Sequence, residues 1–154
     1  MNYEINSDTL AIIPSSNCSS KVIEVEDEYN IQNSTYKIME HSCEYFGSSL
    51  DGRLNGTKNM LGSIYKSPIL VEESRNIIFF PTKSPTQDDN VWVSLNNIDT
   101  YEKNNDNNTI VYFKNNKQLL LDIPFLSFQN QVLRATRLES IFRQRKFNKK
   151  NDYF

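Results

Sequence analysis

Cysteine, histidine and glycine are all scarce in this chain of 154 residues. With two cysteines and one histidine, at most one disulfide could form and a zinc site would have too few soft ligands. No apolar run approaches the roughly 20 residues that span a bilayer, and the N-terminus lacks a basic segment followed by an apolar one. We therefore expect a single cytoplasmic domain with free thiols and no membrane association.

The four glycines all fall within the stretch CEYFGSSLDGRLNGTKNMLG. The first two have the spacing of a nucleotide-binding P-loop, but that loop continues with lysine and a hydroxyl residue, whereas Arg53 and Leu54 follow here. The stretch contains no dinucleotide-binding G-x-G-x-x-G. It instead predicts tight turns leading into or through a short helix that ends at Gly62. Gly52 and Gly56 would also leave room for another backbone to approach.

No group in the sequence is well suited to catalysis. His41 and Cys43 diverge by about 200° on a helix, and on a strand they share a face without a third group to orient them. No carboxylate pair stands out among the nineteen acidic residues. We therefore expect no catalytic residues, no metal and no cofactor, and a structural role for the histidine.

The apolar pattern predicts an α+β fold. Short runs rich in β-branched residues and broken by turn residues predict strands; the runs are TLAIIP, KVIEVE, PILV, IIFFP and VWVS. NTIVYFKNNKQLLLDIP predicts a hairpin, because asparagine tolerates the positive φ that its Lys-Asn-Asn-Lys turn needs. YKIMEHSCEYFG suits a short helix as well as a strand. We expect a mostly antiparallel β-sheet or partly closed barrel, a short glycine-rich helical segment and a C-terminal amphipathic helix.

The C-terminal helix is predicted over about 127–147, followed by a short tail at 148–154. Ser127 suits the N-cap position after Pro124. Beyond it, apolar residues recur at spacings of four, three, three and four, which places them on one face of a helix. These residues are Phe128, Val132, Ala135, Leu138 and Phe142.

Charge is distributed unevenly along the chain, although its net charge is only −2. Residues 134–150 hold seven basic side chains and one acidic one, a net +6, whereas the other 137 residues carry −8. Arg134, Arg137 and Arg145 fall within about 80° of arc beside the apolar face of the helix. Two interpretations stay open: a solvated face that complements the helix dipole, or a surface that binds a polyanion.

Several sequence blocks occur in a fixed order between about Ile38 and Arg145. The blocks are CEYFGSSLDGRLNGTKNMLG, YKSPILV, IIFFPTKSP, VWVS and SFQNQVLRATRLESIFRQR. In content and order they resemble the ComK family, the competence transcription factors of low-GC Gram-positive bacteria. The resemblance implies one DNA-binding domain over 1–154 that activates genes for DNA uptake and transformation. It also implies multimers that bind paired A-rich and T-rich boxes of double-stranded DNA, chiefly through the minor groove.

The resemblance carries no residue-level DNA contacts, so candidate contacts are chosen by charge and position. A minor groove narrowed by A-tracts has enhanced negative potential and attracts inserted arginine. The cationic candidates lie in the glycine-rich region and on the C-terminal helix. They are Arg53, Lys58, Lys66, Arg134, Arg137, Arg143, Arg145 and Lys146.

The chain departs from the family pattern in two places. Family members continue past the arginine-rich helix and are delivered by an adaptor to a Clp protease, whereas this chain stops at NKKNDYF; we therefore expect altered adaptor binding. Asn90 and Val91 precede Trp92, where family members carry a cysteine. The alternative function is a protein-interaction module, such as a truncated decoy that forms mixed oligomers with a full-length relative or occupies its adaptor.

Overall fold

The structure, a computed structural model, describes residues 2–62, 65–105 and 107–151, with side chains of the last helix as far as Asn148. Strands dominate the chain, two helices interrupt them, and a third helix follows them. The elements are β1 (Thr9–Pro14), β2 (Ser20–Glu24), β3 (Glu28–Ile31), α1 (Thr35–Tyr45), α2 (Leu50–Leu61), β4 (Ile69–Glu72), β5 (Ile77–Pro81), β6 (Trp92–Ser94), β7 (Ile98–Lys103), β8 (Thr109–Phe113), β9 (Gln118–Leu121) and α3 (Phe125–Asn151).

The strands form two sheets. A six-stranded sheet has the order β3-β2-β1-β6-β5-β4, a three-stranded sheet has the order β7-β8-β9, and neighbouring strands are antiparallel in both. The predicted α+β class, with mostly antiparallel sheet and a C-terminal helix, is confirmed. Of the two predicted arrangements, the described residues form open sheets.

The large sheet is buried on both faces, which explains why its central strands are apolar at consecutive positions. In β5, Ile77 and Phe79 pack with residues of α1 and α2, including Ile38. The alternate residues Ile78 and Phe80 pack with the small sheet and α3. Since successive strand side chains point to opposite faces, the chain forms three layers: the two short helices, the large sheet, and the small sheet with α3.

The glycine-rich region forms α2, as predicted, and the ambiguous segment before it forms α1. Ser34 caps α1 by accepting a hydrogen bond from the Lys37 amide at 3.2 Å, and Ser49 caps α2 in the same way. Gly47 and Gly62 follow the two helices with φ of 83° and 88°, values that favour glycine. The remaining two glycines lie inside α2.

Asn90, one of the two departures from the family pattern, joins three elements. Its Oδ1 accepts hydrogen bonds from the backbone amides of Thr82 and Lys83, both at 3.0 Å. Its carbonyl accepts a hydrogen bond from the Thr35 hydroxyl at 3.2 Å. The residue is fully buried. Its side chain connects the approach to β6 with the end of β5, and its backbone carbonyl, which any residue would supply, connects the same place with the start of α1.

Helix α3 begins at Phe125 and continues to Asn151, so it is longer than predicted at both ends. The Pro124 carbonyl accepts the first helical hydrogen bond, from Phe128 at 3.1 Å, which places Ser127 inside the first turn rather than at the N-cap. Packing of Phe125 against Tyr101, with ring centroids 5.6 Å apart, stabilises the earlier start. All five predicted apolar residues pack in the core beneath the helix.

Candidate nucleic-acid interface

A buried glutamine fixes the position of α3 beside the segment that precedes β4. Gln131 is 1% exposed, and its Nε2 donates hydrogen bonds to the carbonyls of Lys66 and Pro81 at 2.9 and 2.7 Å. Its Oε1 accepts a hydrogen bond from the Arg134 guanidinium at 2.8 Å. One side chain therefore connects α3, the end of β5 and the residue Lys66.

This arrangement brings Lys66 and Arg134 together. Burial lowers the pKa of the Lys66 ammonium, and the nearby positive charge of Arg134 lowers it further. Within the described ranges, neither side chain has a carboxylate at ion-pair distance. Two like charges held close together without an internal counterion favour the binding of an anion.

Arg137 and Arg145 lie on the same side of α3 as Arg134, because the three are spaced by three and eight residues. Both are exposed, and over the part of the chain that the structure describes no ion pair engages either one. We call Arg134, Arg137 and Arg145 the cationic face. It extends over about 16 Å of the helix at 1.5 Å per residue.

Arg143 and Lys146 make contacts within the protein instead. Arg143 pairs with Glu139 at 3.6 Å, whose other oxygen accepts a hydrogen bond from Asn96 at 3.1 Å. Lys146 donates hydrogen bonds to the Glu73 carbonyl and to Asn76 Oδ1 at 3.0 and 3.1 Å. The hydrogen bonds of Lys146 and of Glu139 connect the outer half of α3 to the large sheet, whereas the Arg143–Glu139 pair lies within the helix.

The two candidates on α2 lie in different surroundings from each other. Arg53 is partly buried, its Nε finds no hydrogen-bond partner among the described residues, and its charge acts on the Cys43 thiol of α1. Lys58 is exposed and lines an open cleft of about 570 Å³ together with Tyr36 and Tyr65. The structure therefore connects Lys66, but not these two, to the cationic face through the hydrogen bonds of Gln131.

Sequence reasoning named all eight of these cationic positions for their charge but missed the role of Gln131. The one available signal was its position: on a helical wheel Gln131 falls beside Ala135 and Leu138, on the buried side. A polar residue there must find hydrogen-bond partners. The side chains of Lys149 and Lys150, which contribute to the basic segment, lie outside the described residues.

Residues suited to nucleophilic or metal chemistry take structural positions. His41 contacts Glu4 at 2.7 Å, which joins α1 to the N-terminal segment. In the described ranges no group of three or more His, Cys, Asp or Glu residues is placed to hold a metal ion. None of the helices described is both long enough and apolar enough to cross a membrane.

The two cysteines should differ sharply in reactivity. Cys43 is fully buried, and burial raises the pKa of its thiol to about 12, so the reactive thiolate is absent at neutral pH. Cys18 is exposed. We expect a thiol-reactive chromophore to label one cysteine per native chain and two after unfolding. Cys18→Ser should remove the native signal and Cys43→Ser should preserve it; rapid labelling of native Cys18→Ser would contradict the burial of Cys43.

An α+β domain with an acidic body and one cationic helix face defines a class of protein suited to polyanions such as DNA. The family model described as ComK protein matches residues 1–147. A relative named competence transcription factor, from Bacillus subtilis (strain 168), is 34% identical over 146 residues, covering 93% of this chain and 76% of the relative. The chain belongs to the ComK family, which confirms the resemblance seen in the sequence. No solved structure matches the chain significantly.

Proposed function

We propose that this protein is a cytoplasmic transcription factor that activates competence genes by binding AT-rich double-stranded DNA as a homo-oligomer. Membership of a family of competence transcription factors supports the regulatory role and implies that the protein is not an enzyme. The observation that carries DNA binding is the cationic face, with Lys66 beside it, on an otherwise acidic body. A cationic patch of this kind attracts the phosphate backbone, while the acidic remainder disfavours other orientations.

Recognition through the minor groove is compatible with the dimensions of this face. An α-helix with its side chains is about 10–12 Å across, whereas the minor groove is about 6 Å wide, so α3 would lie along the groove rather than inside it. Long arginine side chains would then enter the groove or contact its phosphates. Arg137 and Arg145 are exposed and suited to this role.

A mobility-shift assay tests the proposal. The protein should shift a duplex that carries an A-box and a T-box at lower concentration than a GC-rich duplex of equal length, because the narrow A-tract groove attracts arginine. Equal affinity for the two duplexes would contradict recognition of AT-rich DNA.

A protein-interaction role has one structural observation in its favour. Leu126 and Leu133 lie seven residues apart on α3 and are 69% and 59% exposed, an arrangement that suits contact with another helix. This surface could serve either the proposed homo-oligomer or a decoy that pairs with a full-length relative. Co-purification with such a relative, combined with no affinity for any duplex, would favour the decoy.

A further inference from the structure

We propose that Lys66 and Arg134 form a clamp, in which both side chains bind a single phosphodiester of the DNA backbone, and that Gln131 positions these two residues. This inference rests on the proposed function, which requires contact with the DNA backbone but does not say which side chains share a phosphate. It deepens that function by separating one preformed anion site from the exposed arginines of the cationic face.

The first argument is the preorganisation by Gln131. Both ends of its amide are used: Nε2 binds the carbonyls of Lys66 and Pro81, and Oε1 binds Arg134. Because Gln131 is almost fully buried, its side chain is held by the surrounding core. It therefore fixes the backbone at Lys66 and the orientation of the Arg134 guanidinium at the same time, across a sequence separation of 65 residues.

The second argument is the supply of unused donors at this place. A guanidinium carries five N–H donors and an ammonium carries three, and Gln131 takes one donor of Arg134. No other hydrogen bond engages the guanidinium among the described residues, so its opposite edge is available for a two-pronged contact with phosphate oxygens, the geometry that arginine favours. The Gln131 amide binds both the backbone carbonyl of Lys66 and the guanidinium of Arg134, which places the two residues on either side of it. The lysine ammonium is a compact charge on a flexible stem, so it can reach a phosphate that the guanidinium binds, and the lowered pKa of Lys66 agrees with this proximity.

The third argument is the absence of a competing acid. Arg143 has Glu139 as a partner and Lys146 has acceptors in the β4–β5 turn, but no described acidic side chain pairs with Lys66 or Arg134. Repulsion between the two cations is relieved when an anion binds between them. Binding is therefore favoured in a way that isolated surface cations do not provide.

A clamp on one phosphate has a distinctive salt dependence. Each phosphate that a protein neutralises contributes about 0.9 to the slope of log affinity against log salt. The double variant Lys66→Ala/Arg134→Ala should therefore lower the slope by about one unit. The matched pair Arg137→Ala/Arg145→Ala, which removes the same charge from separate contacts, should lower it by about two. If both double variants lowered the salt slope by two units, Lys66 and Arg134 would not share a phosphate.

The role of Gln131 is tested by the variant Gln131→Leu, which preserves every charge. We expect it to lower DNA affinity about tenfold and the salt slope by up to one unit, provided that circular dichroism shows a native fold. If Gln131 had only a structural role, the folded variant would keep the salt slope of the unmodified protein. That result would refute the proposal that Gln131 positions Lys66 and Arg134. If the variant does not fold, Lys66→Ala and Arg134→Ala still test the clamp itself, because both alter partly exposed residues.

A scan with single methylphosphonates locates the phosphate. Replacing one phosphate of the AT-rich duplex by a neutral methylphosphonate should weaken binding of the unmodified protein strongly at one position. Lys66→Ala and Arg134→Ala should both lose sensitivity at that position, whereas the control Arg137→Ala should keep it. If Lys66→Ala and Arg134→Ala lose sensitivity at different positions, the two residues do not share a phosphate and the clamp is refuted.

The clamp can be tested separately from the proposed function with inorganic phosphate. At constant ionic strength, phosphate should raise the melting temperature of the unmodified protein and not that of Lys66→Ala/Arg134→Ala. No increase for the unmodified protein would overturn the anion site even if DNA binds. If phosphate raises the melting temperature but neither substitution changes the affinity for DNA, the site binds a free anion, and a clamp on the DNA backbone is refuted. If no duplex binds, the proposed function fails, and this inference fails with it even where phosphate binds.

Discussion

Replacing Arg134, Arg137 and Arg145 together by alanine is expected to reduce affinity for an AT-rich duplex by about 10²–10³-fold at physiological salt, since two to three phosphate contacts are lost and hydrogen bonds to charged groups contribute roughly 1.5 kcal/mol each. Affinity for a GC-rich duplex should fall as well, because phosphate contacts carry no sequence information. The salt slope should decrease by about two to three units, depending on whether Lys66 retains the phosphate that it shares with Arg134. Fluorescence anisotropy over a salt series measures both quantities.

A matched triple variant separates the cationic face from net charge. Lys37, Lys103 and Lys114 are exposed residues on α1, β7 and the turn after β8, and alanine at all three changes the net charge by the same amount. This control should bind within about threefold of the unmodified protein, with the same salt slope, because distant charges are screened beyond about 8–10 Å. A slope that stays unchanged in the arginine variant would show that α3 does not contact the DNA.

Phe128→Ala should produce the largest loss of stability, about 3–5 kcal/mol in the free energy of unfolding. Phe128 is 1% exposed and makes edge-on ring contacts with Phe80 of the large sheet at 5.4 Å and Tyr101 of the small sheet at 5.2 Å. Its removal leaves a cavity where both sheets meet α3, and the surrounding structure collapses only partly into such a cavity. Urea denaturation followed by circular dichroism measures the change.

Phe147→Ala is the control for that measurement, because it removes the same side chain from the same helix. Phe147 is 64% exposed, so its replacement should change the free energy of unfolding by no more than about 0.5 kcal/mol. Equal effects of the two substitutions would contradict the packing of α3 against both sheets. An intact core under α3 matters for function, because it holds the cationic face in a fixed orientation on the domain.

Local features of the fold could be predicted, and those that depend on distant contacts could not. The hairpin between β8 and β9 was evident because Asn115 and Asn116 supply the positive φ of its turn. The segment that became α1 has an apolar pattern compatible with either helix or strand. This segment forms a helix because the helical conformation buries Ile38 and Cys43 against the large sheet. The pairing of β1 with β6 joins residues that are far apart in the sequence, so the local apolar pattern does not predict it.

In the candidate site, too, the features set by local sequence could be predicted and those set by distant contacts could not. The cationic face followed from helical spacing, because the geometry of one helix fixes which of its residues share a side. By contrast, the hydrogen bonds of Lys146 to Glu73 and Asn76 depend on tertiary packing, which its residue type and its position on the helix do not indicate. The contact of Gln131 with Lys66 depends on how α3 crosses the body, which no local pattern encodes.

The measurement that tests the account most directly replaces the A·T pairs of the boxes with inosine·cytosine pairs. Inosine lacks the amino group by which G·C differs from A·T in the minor groove, but it presents the pattern of guanine in the major groove. If the protein reads the minor groove, the inosine duplex should bind within about threefold of the A·T duplex, and the G·C duplex at least about thirtyfold more weakly. An inosine duplex that binds as weakly as the G·C duplex would contradict recognition through the minor groove.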